Sequence, residues 1–509
     1  MNKTTKSIIG LGAAVIVLGG GLVALMLTEP KDKENDESTL SSVPDESSET
    51  YGEGIILIQD EKAGESDGIV KEVTVKNSDD TLHVVMDKAA TDESVATYTL
   101  DGYKDIPLDT ALVSTLVNNA CNMTSGSVVD ENCENPAKFG LDNPQAEVEV
   151  KFQTGTVKKF KVGDKAPANS ETYVMIDGEN TVYTVATSYI ANYSKTLFDF
   201  VDMVILEEPS EEDYPVVNSL KIEREDIDYD ILLEYDKSSD DGKYSGGTSA
   251  THVMVEPTDA YLTVERSEDI TNGMFGLRSD GIYSVHCKDS DIAEAGLKEP
   301  FCTVTMECSD GNKYVLLMSE PFTDDNNKKC CYAMFEDRSI IYIVNTENAK
   351  WSTVMPVDIT SRIMVGSYVW NITDLTVNCS DGTSEKFVIE PKDKNAENTK
   401  PTDFNVTKNG TAFDSERYRQ FYGFLINAAA EEFALGEDIP DDKPVVTVEY
   451  SDSYTKKKTK LEFYEYSNLT ALIAVNGESK YFCAKSYVDT LLENIKRIET
   501  GEDYITTWK

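Results

Sequence analysis

Gly140-Leu141-Asp142-Asn143-Pro144 and Gly296-Leu297-Lys298-Glu299-Pro300 are two copies of one phrase, and the same alternating pattern follows each. Behind Pro144 come Val148 and Val150, and behind Pro300 come Val304 and Met306. A worn third copy, without the Gly-Leu pair, starts at Pro444 with Val446 and Val448. In every copy a valine stands four residues past the proline, and a later pair of apolar runs closes on a tyrosine: Tyr183, Tyr342 and Tyr481. Alternation of apolar and polar residues is the period of a half-buried strand. A repeat of roughly 150 residues exceeds the ~20–50 residues of a solenoid unit and implies serial domains.

Outward from these phrases, each copy opens with a hairpin pattern: Val70–Val75 with Leu82–Met86, Leu220–Arg224 with Tyr229–Tyr235, and Leu375–Cys379 with Lys386–Ile389. A helix follows at Thr110–Cys121 behind Asp109, a suitable N-cap, and at Ser415–Phe433. There Tyr418, Phe421, Tyr422, Leu425 and Ile426 form an apolar stripe read as core packing. In the second copy Gly273–Leu277 replaces the helix region. A short helix is expected after the last strand, opened by Ser188 or Ser486. The expected fold is α+β: an N-terminal transmembrane helix, then three tandem, largely antiparallel sheet modules, each with one or two helices. The boundaries read 1–28 for the anchor, 29–67 for a flexible acidic stalk, 68–206 and 214–356 for modules one and two, and 360–509 for module three. Gly140 and Gly296 are expected to supply a backbone that a β-carbon disfavours. Leu141 and Leu297 should enter a core, and Pro144 should take its strand's first position.

Ile8 to Leu27 is an uncharged apolar run of spanning length, with Lys3 and Lys6 before it and Glu29, Asp32 and Glu34 after it. That asymmetry places the N-terminus in the cytoplasm and everything beyond the run outside the cell membrane. The formal charge of -45 argues against nucleic acid or an anionic lipid surface as a partner. Nine cysteines, an odd count, exclude a fully paired disulfide framework, although Cys121 and Cys133 flank a loop and could bridge.

Tyr98-Thr-Leu-Asp-Gly-Tyr103, Ile106-Pro-Leu-Asp109, Phe139-Gly-Leu-Asp-Asn-Pro144, Lys161-Val-Gly-Asp164 and Tyr173–Val185 together resemble the domain of unknown function 4340 over about residues 70–205. The resemblance implies a bacterial, single-span, extracytoplasmic protein, as members of that family typically are, and some members are encoded beside components of gliding-type ABC transporters. It implies an accessory role with transporter subunits as partners, and brings no catalytic residues.

The search for chemistry leaves no candidate catalytic, cofactor or metal residues. His83 and His286 read as ordinary half-buried side chains, and none of His83, His252 and His286 reads as a catalytic or metal-ligating residue. Ser453-Tyr-Thr-Lys456 imitates an S-x-x-K motif but falls in a turn between strands. Asp236–Tyr244 and Asp324–Lys328 lack the spacing of a calcium loop. The sequence therefore reads as a non-enzymatic, membrane-anchored accessory protein. The alternative is a surface binding module for envelope polymer or peptide, with Tyr244, Tyr368 and Trp370 as aromatic platforms.

Overall fold

The structure, a computed structural model, describes residues 55–60, 69–91, 94–121, 123–167, 170–241, 250–362, 364–365, 367, 369–393, 400–427 and 430–508. The expected anchor, most of the stalk, Tyr244 and Tyr368 lie outside them. Among the described residues no helix is long and apolar enough to cross a membrane.

Three antiparallel sheets follow one path. From edge to edge the first runs Thr97–Leu100, Thr81–Lys88, Val70–Asn77, Ala146–Phe152, Val157–Lys165, Glu171–Ile176, Val182–Ala186 and Ser127–Asp130. The chain lays strands outward from Val70–Asn77, crosses by a helix to the far edge, and then returns as a meander that fills the space between. The second and third sheets repeat this from Val217–Arg224 and Ile372–Cys379, with far edges at Gly281–Val285 and Glu432–Phe433. The hairpins close where the sequence supplies turn residues. Asn77 Oδ1 accepts from the N–H groups of Asp79 and Asp80, and Gly382 takes a left-handed φ of 94° in the third module.

Register is shared as closely as order. Val148, Val304 and Val448 stand opposite Val75, Ile222 and Val377. Farther along, Phe152, Cys308 and Asp452 meet Val70, Val217 and Ile372, and each pairing skips one residue of the first strand on the way. A bulge of this kind bends and twists its strand. Its recurrence shows that the three modules are copies of one another in backbone detail.

Helices cover one face of each sheet. Val113, Leu116, Val117 and Ala120 bury the stripe of Thr110–Cys121 against Val73, Val84 and Val150, and Asp109 Oδ1 caps that helix at the N–H of Leu112. Ser415–Ile426 buries Tyr418, Phe421, Tyr422 and Leu425 in the same way. It stops earlier than the sequence implies, because Glu432–Phe433 is the far edge strand, paired with Phe482 and Tyr481. Module two does hold a helix at Val264–Thr271, just ahead of Gly273–Leu277. The helices after the last strands begin one residue before each expected serine cap, at Thr187 and Lys485, without a side-chain cap. The last of them reaches Thr500, longer than the short helix expected. All nine cysteines are free, Cys121 and Cys133 included.

Backbone bonds join consecutive modules. Glu207–Asp213 is an exposed loop apart from half-buried Pro209, yet the residues just before it are threaded into the second module. Ile205 and Leu206 are buried in that module's core, Ile205 N–H donates to Leu277 O at 2.8 Å, and Arg338 Nη1 donates to Ile205 O at 2.7 Å. Farther along, Thr263 N–H donates to Ile359 O, Ser361 N–H to Tyr261 O, and Phe433 of the third module packs on the second module's core.

Candidate functional site

The repeated phrase builds a second, smaller core on the sheet face opposite the main core. Leu141 joins Phe139, Cys133 and Val182 there, and Leu297 joins Ala295, Met334 and Ile341. Gly140 and Gly296 carry φ of 69° and 70°. Both end a helical turn: the N–H groups of Gly140 and Leu141 return to Ala137 O and Pro136 O, and those of Gly296 and Leu297 to Ala293 O and Ile292 O. The third module keeps this device in altered spelling. Gly436 has φ 72°, and Ile439 packs on Leu472 and Tyr464 in the place of the leucine. Pro144, Pro300 and Pro444 are half-buried and lie two residues ahead of their strands, because pairing begins only at Ala146, Cys302 and Val446. Tyr342 is buried, and Tyr183 and Tyr481 pack partly buried, each on its own module's main core. These ten positions lie in or beside the cores of separate modules, and the fold does not bring them together.

The histidines separate by environment. His83 lies 3.6 Å from Glu72 and 3.5 Å from Asp101 on an exposed strand face. His286, with φ 49°, leaves the second module to stack on Tyr103 at 5.2 Å and to reach the Asp105 carboxylate at 3.1 Å, a contact between modules one and two. That hydrogen bond holds the Asp105 carboxyl below its ordinary range. His252 is buried, and burial lowers its pKa, so the neutral ring is favoured. Burial pushes the Cys302, Cys331 and Cys483 thiols up to about 12, which keeps them protonated and unreactive. Ser453 bonds Asn371 O from a turn, away from any helix start. Among the described residues no group of three or more His, Cys, Asp or Glu is placed to hold a metal ion.

Register identifies a further position that the sequence reading missed. Val84, Leu233 and Phe387 correspond, since each faces the same place on its first strand. Two residues on along the same strand, Met86 pairs with Tyr98, Tyr235 with His252, and Ile389 with Val406. Tyr98 Oη donates to Val70 O at 2.9 Å, and His252 Nε2 lies 2.8 Å from Val217 O. Those two carbonyls also correspond, as the strand-opening residues beside the shared bulge. Val406 has neither the reach nor the donor. Beside it lies a cavity of about 480 Å³, between the helix Ser415–Ile426 and the sheet, lined chiefly by Trp370, Phe404, Val406, Tyr422 and Ile426. Lys400, Glu416 and Arg419 supply its charged lining, and Arg419 is paired to Glu416 at 2.8 Å.

A comparison with protein families matches residues 99–226 to the model described as Domain of unknown function (DUF4340). Over that span the chain is similar to the DUF4340 family. The DUF4340 span starts in the third strand of the first sheet and ends just past the first strand of the second, so it takes in the threaded residues Ile205 and Leu206. It holds Gly140, Leu141, Pro144 and Tyr183, whose places are structural. No curated protein and no solved structure matches the chain.

Proposed function

We propose that this chain is a non-enzymatic, membrane-anchored, extracytoplasmic accessory protein that associates with an ABC transporter or another envelope complex. The observation that carries the reading is the use of one module three times, with Ile205 and Leu206 of the first threaded into the second. Serial binding or spacing elements are built in this way, and each copy spends its recurring residues on its own cores. The resemblance of the first module to a family of single-span extracytoplasmic proteins supports the same reading, as does the lysine-flanked apolar run from Ile8 to Leu27.

Two measurements test it. Protease added to intact protoplasts should remove the three modules, and survival of the full-length chain would overturn the topology. A pull-down of the full chain from solubilised membranes should bring down transporter subunits. Retention on purified wall material without any membrane partner would favour the second reading, a polymer or peptide binder. The exposure of Trp370, 39% of its surface, supports that alternative.

A further inference from the structure

We infer that the cavity in the third module is a binding site for a small amphiphile with an apolar body and a single anionic head. The inference starts from the repeat. In modules one and two this position carries a longer side chain that reaches the opening carbonyl of the first strand: Tyr98 to Val70 and His252 to Val217. In module three Val406 stands in the same register, and about 480 Å³ is left open. That lies in the range of roughly 300–1,000 Å³ typical of small-molecule sites. The fold bridges this position to the first strand in two modules and places a side chain without a donor there in the third.

The helix supports the same conclusion. Gly423 lies in the interior of Ser415–Ile426 and lines the cavity, and a β-carbon added there would meet nothing within 4 Å. Glycine destabilises a helix interior, so neither helix formation nor crowding accounts for it. It does keep the cavity wide.

The lining names the ligand class. Trp370, Phe404, Tyr422 and Ile426 present rings and aliphatic carbons suited to an apolar body. Of the charged lining residues among those described, Arg419 and Glu416 neutralise one another. Lys400 has no carboxylate within ion-pair distance among the described residues. A lysine at the cavity, on a chain whose formal charge is -45, favours a carboxylate, sulfonate or phosphate at this place.

Octanoate, octylamine and octanol are suitable probes, titrated against the full chain in lipid nanodiscs with empty nanodiscs as the blank. Binding is read from tryptophan fluorescence, which Trp370→Phe should silence because Trp351 is buried in the second module's core and Trp508 packs on the third module's core without lining the cavity. Octanoate should bind saturably, and more tightly than the other two. Val406→Tyr and Gly423→Leu fill the cavity from the sheet side and the helix side, and each should abolish binding while the thermal transitions persist. Lys400→Glu should weaken octanoate by about tenfold or more, the size of a lost charge-assisted hydrogen bond. Equal binding of all three probes would overturn the anionic head. Absence of saturable octanoate binding, or its survival in both folded filling variants, would overturn the site.

Discussion

Asp164 packs its carboxylate against the α-carbon of Gly140, so closely that a β-carbon on Gly140 would fall 2.5 Å from Asp164 Cγ. Next to this contact, Gly163 lets the carbonyl of Phe139 approach to where its own β-carbon would lie, 2.2 Å away. Two separate phrases of the sequence, Phe139-Gly-Leu141 and Lys161-Val-Gly-Asp164, are thus the two sides of one contact. At Gly296 the corresponding β-carbon would meet only Ser319 Cβ, at 3.7 Å. Both glycines hold a left-handed backbone, which costs a non-glycine residue ~1–2 kcal/mol. Gly296→Ala should cost about that much, and Gly140→Ala measurably more, in the urea transition of its own module. Equal losses would mean that Asp164 swings away freely.

Leu141→Ala should destabilise the first module by about 2–5 kcal/mol, because the side chain is buried and the residues around it, Phe139, Cys133 and Val182, cannot all collapse into the gap. The third module's transition should not move. Unchanged stability together with loss of a membrane partner would turn the segment from scaffold into docking surface.

His252 gives the second module a pH dependence of definite sign. Its ring is satisfied when neutral, with Nε2–H donating to Val217 O and Nδ1 accepting from Thr251 Oγ1. Burial sets the folded pKa below the unfolded value of ~6.5, so protons bind the unfolded chain first. Stability is therefore fully present above ~6.5 and is lost as pH falls below it, by up to ~1.4 kcal/mol per unit until the folded ring also titrates. Urea melts of the wild type and His252→Gln, compared at about pH 7.5 and 5.5, isolate the effect. The variant should be the less stable at the higher pH and lose less on acidification.

Gly423→Ala should stabilise the third module by ~0.5–1 kcal/mol, since alanine forms helix better and its methyl group enters open space. A calorimetric scan that shows a lower transition would indicate that the space is already filled.

Limited proteolysis should cut first within Glu207–Asp213, whose residues are exposed except for Pro209, without releasing a fragment. The two pieces should run apart in denaturing gels and together in size exclusion. Ile205 and Leu206 remain buried in the second module, and Arg338 still holds Ile205 O. Separate elution would show that the threaded segment is held more weakly than its bonds imply.

Much of this architecture is legible in the chain because it rests on local signals. Alternating valines, Asn77 and Gly382 at turns, and Asp109 at a helix start each act within a few residues of themselves. The third module's copy of the Gly-Leu device was not legible, since Gly436 and Ile439 do its work at a different spacing. The edge strand Glu432–Phe433 was hidden for another reason: its partner Phe482 lies far along the chain, and nothing local distinguishes it from a helix end. The correspondence of Tyr98, His252 and Val406 needs strand register, which irregularities in the ladders of modules one and two interrupt. Three side chains as unlike as phenol, imidazole and isopropyl give no hint of a common position.

The shared register also bears on how the chain finds its fold. A first strand that meets its partner in the same alignment in all three modules is, as far as backbone bonds go, able to pair with the wrong module, and misassembly of this kind is a characteristic failure of tandem domains. The backbone supplies no discrimination, so it falls to side-chain volume. Val84 and Phe387 occupy one position in modules one and three, and exchanging their strands would leave a void in one core and a clash in the other. The divergence that makes the third copy hard to read is what allows each newly made strand to tell its own module from its neighbours.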